Sequence, residues 1–335
     1  MAGSLSRQVS QLPAPGSLAS TVRGQAVNRR RNKSLVNLSL LVLVIGLAVF
    51  LLHDRWLASH RAPDHWQWIT CDVGQGDAHL IRTGQRSAYL LDTGDDYSAL
   101  KSCLDWAGVD QLEAVLITHA HSDHDGALQQ VQSDFAQPTL VTSPHYSRQG
   151  EQTPVTQGTA AYRLAAGSAF PAESVTAERH EAAGQPLGRV LWPPEQAQRI
   201  PGATGSSSWI NNTSLVIHWS LPARETGQRP LTVLTTGDLE ADAVHRLLAE
   251  SAGQMPTDVL KIAHHGSAGS GTDLIIAASP SLALIPVGAG NSYGHPHEDI
   301  LSFLNQRSIS AARTDLSGHL ALTTSDRGIE VTASG

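Results

Sequence analysis

The stretch ITHAHSDHDG, Ile117–Gly126, closes an apolar run with His119, His121, Asp123, His124 and Asp125. Its position restricts the fold more than any other feature of the chain. LEAVLITH reads as a buried strand and DGALQQVQ as the helix after it, so the polar cluster sits where a strand ends. His119 and His121 can converge there on one cation. Asp123 and His124, on the turn into the helix, can reach a second position beside it. Imidazole with carboxylate suits zinc, manganese or iron rather than calcium. One histidine at a strand end reads as structural; four donor residues at this spacing do not.

Such a site needs donors from elsewhere, and other strand ends offer them. LLDTG places Asp92 after one apolar run, and VLTTGD places Asp238 after another, where a carboxylate can bridge two metals. LKIAHHGS places His264 and His265 after a third. The joint occurrence carries the weight, because Asp92 alone would pass for a turn residue. Only two cysteines exist, Cys71 and Cys103, so any metal is held by His and Asp. The two thiols can pair in an oxidising compartment or stay buried and free. A disulfide framework is excluded.

The 335 residues fall into four stretches. Residues 1–33 are a polar leader ending in RRRNK, expected on the cytoplasmic side. Ser34–Leu52 is a 19-residue run without a charge, just long enough to cross a bilayer as a retained single-pass anchor, with a cleaved signal peptide as the competing reading. The basic cluster before it places the N-terminus in the cytoplasm and the bulk of the chain outside. Residues 53–65 read as a linker and 66–333 as the folded domain. Within that domain, strands run in two batches, each followed by helices, which predicts an α+β fold of two packed sheets with helices outside. Residues 145–210, rich in Gly, Pro, Ser and Ala, read as long loops around short strands. Through His65 there are eight basic and two acidic residues; beyond it, fifteen basic face twenty-eight acidic, an excess of 13 negative charges. Such a body excludes general electrostatic adhesion to nucleic acid. A DNA substrate would have to be held by the cleft and its arginines.

HAHSDH with Asp92, Asp238 and the His264–His265 pair resembles the metallo-β-lactamase superfamily. DVGQGDA (Asp72–Ala78), NNTSLV (Asn211–Val216), TTGD, AHHGS and NSYGHPH (Asn291–His297) are similar, more narrowly, to the hydrolase domain of ComEC-type DNA-uptake (competence) proteins. The resemblance covers roughly residues 68–331. It implies an αββα sandwich with a metal-dependent phosphodiesterase site holding two divalent ions, zinc or manganese. Carried over, it makes His119, His121, Asp123 and His124 ligands, with Asp92 beside the site and Asp238 bridging. One of His264 and His265 closes it, with His264 favoured although spacing does not choose. Two departures stand out. Many superfamily members have a ligand histidine where this chain has Asn211 or Asn212, so one metal is expected to be less tightly held. ComEC-type proteins also carry a multi-span channel, whereas one span is read here; a separate channel protein would complete a DNA-uptake apparatus.

For catalysis, Asp123 is expected to orient the attacking water or take its proton. NSYGHPH is read as a loop over the substrate, His295 donating to a phosphate oxygen or the leaving group and Asn291 and Tyr293 adding hydrogen bonds. Asp77 of DVGQGDA is expected nearest the cleft, and Ser267 is expected to offer a hydroxyl or N–H to substrate. His145, His180, His218, His245 and His319 lack donor company and read as ordinary residues. The expected activity is that of a DNase or other phosphodiesterase. An alternative keeps the metals and changes the substrate to a phosphocholine-type ester, a lactone or another envelope component. Weaker alternatives are β-lactam hydrolysis and a non-catalytic surface module that keeps only the fold.

Overall fold

The computed structural model describes residues 61–136, 138–147, 161–171, 184–223 and 228–335, with residues 37, 40–47 and 49. The chain divides into two compact units, Met1–Ser59 and His60–Gly335. In the first, Leu40 to Leu47 is helical, and its leucines, valines and isoleucine are exposed. The rest of the span expected at 34–52 lies outside the described residues, as does His180. Among the described residues, no helix is long and apolar enough to cross a membrane.

Among the described residues the second unit contains fifteen strands: β1 (Trp68–Thr70), β2 (His79–Arg82), β3 (Ser87–Leu91), β4 (Gln111–Ile117), β5 (Thr139–Thr142), β6 (Ala161–Arg163), β7 (Ala169–Phe170), β8 (Leu187–Trp192), β9 (Val216–Leu221), β10 (Leu231–Thr235), β11 (Val259–Lys261), β12 (Leu282–Ile285), β13 (Ser310–Arg313), β14 (Leu320–Ser325) and β15 (Gly328–Ala333). They form an eight-stranded sheet, β15-β14-β1-β2-β3-β4-β5-β6, and a seven-stranded sheet, β13-β12-β11-β10-β9-β8-β7. Alternating side chains make both sheets two-faced. Trp68 points between the sheets, its indole edge-on to Trp219 of the other sheet, while Ile69 joins the outer layer. On β10, Val233 fills the inter-sheet core and Leu234 packs under the outer helices. Four layers result, helix–sheet–sheet–helix, as the two-batch pattern predicts.

The helix Tyr97–Ala107 shows how local sequence fixes an outer layer. Asp96 caps it by accepting from the Ser98 and Ala99 amides, and Gly108 ends it with φ of 70°. Leu100, Cys103 and Leu104 bury one face against the first sheet. Cys103 is disulfide-bonded to Cys71, just past β1. The folded body begins before the expected boundary at 66. The Ala62 amide donates to Trp106 O, and the Trp66 indole donates to Ala107 O.

The pairing also determines where the chemistry lies. β3, β4 and β5 are mutually parallel, and so are β10, β11 and β12. Parallel neighbours deliver their C-terminal ends to one edge. Asp92, the His119–His124 cluster, Asp238 and the His264–His265 pair follow β3, β4, β10 and β11 respectively. The Leu215 amide, just before β9, donates to Thr118 O just after β4, joining the two sheets at this edge.

Candidate metal centre

Four donor residues meet: one ligand atom from each of Asp123, His124, Asp238 and His265 lies within 4.8 Å of the others. His124 Nε2 is 3.2 Å from Asp238 Oδ1 and 3.9 Å from Asp123 Oδ2. His265 Nε2 is 3.4 Å from Asp123 Oδ2 and 3.6 Å from Asp238 Oδ2. His124 Nε2, His265 Nε2 and Asp238 Oδ1 are buried and make no hydrogen bond. Buried polar atoms are nearly always satisfied, so three orphans aimed at one point fit a cation. The set is mixed imidazole and carboxylate, which suits a divalent metal ion.

Beside this group, His119 Nε2 is 3.2 Å from His121 Nδ1, and the His119 and His124 rings lie 4.1 Å apart. His119 Nδ1 is held by the hydroxyls of Thr118 and Ser214, at 3.1 and 3.2 Å. Its Nε2 is thereby aimed into the site. Of the paired histidines, His265 is the one at the convergence, contrary to the leaning toward His264. His265 is buried and its Nδ1 sits 3.0 Å from Pro286 O, which leaves Nε2 free to ligate. His264 lies at the rim, its Nε2 3.6 Å from Asp238 Oδ2. Both residues have left-handed backbone, φ 49° and 53°. Outside glycine such conformations cost energy and cluster at functional sites.

Several expected residues stand elsewhere. Asp92 does not face the ligand position. Its Oδ1 accepts from the Thr118 amide, and its Oδ2 accepts from the Thr118 hydroxyl and pairs with His124 Nδ1 at 2.8 Å. It orients His124 from behind, as carboxylates behind ligand histidines do. Asp77, expected at the cleft, is 1% exposed and lies beneath the floor. Its Oδ2 takes Lys261 Nζ at 2.5 Å and its Oδ1 is 3.3 Å from His265 Nδ1. Its companions in DVGQGDA divide differently, because Gln75 reaches the cleft. The nearby triad Asp77, Asp92 and His124 is therefore a supporting layer, its Lys261 already supplying the cation.

Asn212 is fully engaged in structure: its Oδ1 accepts from the Glu240 amide and its Nδ2 donates to Pro201 O. Asn211 lines the cleft, its Nδ2 donating to Glu240 Oε1. Ser267 turns away and caps the next turn by accepting from the Gly269 amide. Asn291 is a clamp on its own loop: Oδ1 accepts from His295 N, while Nδ2 donates to His295 O and Gly288 O. Tyr293 and His295 do line the cleft. Of the histidines read as ordinary, His145, His218 and His245 pair with Pro194 O, Pro256 O and Asp273, and His319 accepts from the Asp72 amide.

The cleft measures about 420 Å³. Sequence reasoning missed Gln75, Asp95, Ser207 and Glu240 on its wall. It also missed Lys261, a fully buried cation whose one signal is a lysine inside the apolar run VLKIA. Among the described residues, no Lys or Arg lines the cleft where arginines were expected.

Electrostatics agree with a site built for added positive charge. Burial would depress the His124 imidazole, but Asp238, Asp123, Asp92 and Asp77 hold it well above the ordinary histidine value. His265, likewise opposed by burial, is pushed up to about 9 by Asp238, Asp123 and Asp77. Burial would raise Asp238, yet His124 and His265 keep it well below the usual carboxylate range.

Residues 71–207 match the metallo-beta-lactamase superfamily model. That stretch carries a metallo-beta-lactamase superfamily domain. The chain is 30% identical over 269 residues to ComE operon protein 3 of Bacillus subtilis (strain 168), covering 74% of this chain and 31% of that protein. It is 27% identical over 304 residues to Competence protein ComA of Neisseria gonorrhoeae, covering 84% of this chain and 38% of that protein. The chain thus spans about a third of the length of these relatives. Among solved structures it is similar to the metallo-beta-lactamase fold protein YhfI from Bacillus subtilis, with 12% identity, 73% of this chain and 95% of that chain covered, and a TM-score of 0.45.

Proposed function

We propose that the chain is a membrane-anchored, extracytoplasmic phosphodiesterase that acts on DNA and holds two divalent ions, zinc or manganese. The observation that carries this reading is the convergence of the unpartnered His124 Nε2, His265 Nε2 and Asp238 Oδ1 with Asp123, from three strand ends, at one edge of the sandwich. His119 and His121 with Asp238 would hold one ion; Asp123, His124 and His265 with Asp238 would hold the other. When bound, the ions lower the pKa of water and offset charge on phosphoryl oxygens.

The chain's own residues do the rest. Asp123 reaches the cleft with its side chain 29% exposed, while Asp238 is buried. Asp123 is therefore the carboxylate that orients the attacking water and accepts its proton. Burial and the neighbouring His264 and His265 depress His295 to about 4, so it is neutral at pH 7. A neutral imidazole still donates one N–H, which suits a phosphoryl oxygen better than general-acid protonation of a leaving group.

Similarity to two competence proteins supports DNA as substrate and a separate channel protein as partner. The Cys71–Cys103 disulfide supports an oxidising compartment. The exposed apolar helix at Leu40–Leu47 supports the anchor. The full chain, loaded with manganese or zinc and mixed with single-stranded DNA and a chromogenic phosphodiester, tests the activity. Turnover is expected; a folded, loaded sample that cleaves neither would end the reading.

A cleft whose described lining includes Asp95, Asp123, Asp238 and Glu240 but no Lys or Arg favours a second reading. A phosphocholine-type ester, whose quaternary ammonium seeks carboxylates, would fit that wall. Faster turnover of a phosphocholine ester than of DNA would select it.

A further inference from the structure

We infer that Tyr293 is a stacking platform for one base of a single-stranded nucleic acid whose phosphate lies over the donor cluster; this rests on the phosphodiesterase reading above. Five large apolar or aromatic side chains of His60–Gly335 stand exposed among the described residues, and Tyr293, at 70%, is the one that lines the cleft. Its ring lies nearly parallel to that of His295, with interplanar angle 26° and centroids 5.9 Å apart. The His295 ring is in turn 5.5 Å from His264 and 6.4 Å from His265. A row of rings therefore leads from the cleft mouth to the donors, and the outer face of its first ring is open.

The loop is rigid where a platform must be. Asn291 clamps both backbone groups of His295. Gly266 lies so close beneath Pro296 that an added Cβ would sit 2.6 Å from the proline ring. Tyr293 is thus exposed yet held, and little ordering cost falls on binding.

Electrostatics make such a contact necessary. Among the described residues no cleft-lining side chain is a Lys or Arg, and four are carboxylates, so phosphate neutralisation by Lys and Arg contributes little. Affinity beyond the metals must come from contacts that ignore charge, and base–aromatic stacking is one that every base can make. A base inside a duplex keeps both faces covered by its neighbours, so the platform selects single strands.

The test crosses removal of the ring with removal of the base. The probe is a fluorescein-labelled oligothymidine of about ten nucleotides, within the span of a single-strand groove. Phosphorothioate linkages slow its cleavage, and an abasic site is moved along it. Binding to the manganese-loaded full chain is read by anisotropy. At one position, loss of the base should weaken wild-type binding about tenfold but Tyr293→Ala binding less than about twofold. Tyr293→Phe should behave as wild type, and the matching duplex should bind about tenfold more weakly. Independent, multiplying losses, a Phe variant as weak as Ala, or equal binding of duplex would each overturn the platform. If wild-type protein cleaves no strand, the proposed activity falls, while this binding cycle still decides the platform.

Discussion

The pair beneath the metal centre is where single residues matter most. Lys261 and Asp77 are both buried, and each neutralises the other. Removing one leaves an uncompensated charge in the interior, which costs about 3–5 kcal/mol. Lys261→Met and Asp77→Asn are each expected to lose that much in urea unfolding. The double variant should recover at least about 2 kcal/mol of the summed loss; strict additivity would mean that the pair is not coupled. His79 offers a second reading of the same interior. Its Nδ1 lies 3.1 Å from the Thr70 hydroxyl, and burial, only partly offset by Asp77, depresses its pKa to about 3. The folded state thus refuses a proton that the unfolded state accepts below about 6.5. Stability from this group is therefore complete above that pH and lost as pH falls, by about 2 kcal/mol between pH 7 and pH 5. Nitrogen-15 NMR of the imidazole should show His79 neutral at pH 5. A titration midpoint near 6.5 would contradict its placement.

At the level of elements, the DVGQGDA turn acts on the metal centre through its backbone. The Asp77 amide donates to Asp123 O at 3.1 Å, and a Cβ built on Gly76 would stand 2.2 Å from that oxygen. Gly76 has φ of 142°, so a side chain there is strained as well as obstructed. Gly76→Ala should displace Asp123 and weaken metal binding at least about tenfold in a chelator competition, the cost typical of disturbed ligand support. Unchanged affinity would show that the turn is a bystander. The disulfide is the other device at this scale, tying the helix Tyr97–Ala107 to the end of β1 across 32 residues of chain. A loop of that length predicts about 3–4 kcal/mol of stabilisation. The Cys71→Ser, Cys103→Ser double variant should melt roughly 10 °C lower by calorimetry; an unchanged Tm would mean the link holds nothing that packing does not. The sequence could not choose between paired and free thiols, because pairing depends on the approach of helix to strand. The clamp role of Asn291 and the burial of Asp77 were hidden for the same reason. Both are set by what the loops touch, and a motif string carries residue type without direction.

For the molecule as a whole, the sandwich was legible because strands run in two batches, each followed by helices, and ligand chemistry repeats at strand ends. Parallel pairing of β3 with β4 and of β10 with β11 then brings those ends to one edge, a step that periodicity alone does not contain. That His265 rather than His264 stands at the convergence turned on two left-handed residues, which no spacing rule reveals. Lys261 was hidden because a lysine in a strand normally reads as a solvated face. The excess of negative charge was visible from composition, but its consequence, a cleft with no Lys or Arg among its described lining residues, needed the fold. Everything functional depends on the donor cluster holding metal, and elemental analysis of the purified chain by plasma mass spectrometry reads that directly. About two zinc or manganese ions per chain are expected, with a marked loss in His265→Ala and a smaller one in His264→Ala; substantially less than one ion per chain in folded wild-type protein supplied with both metals would contradict it.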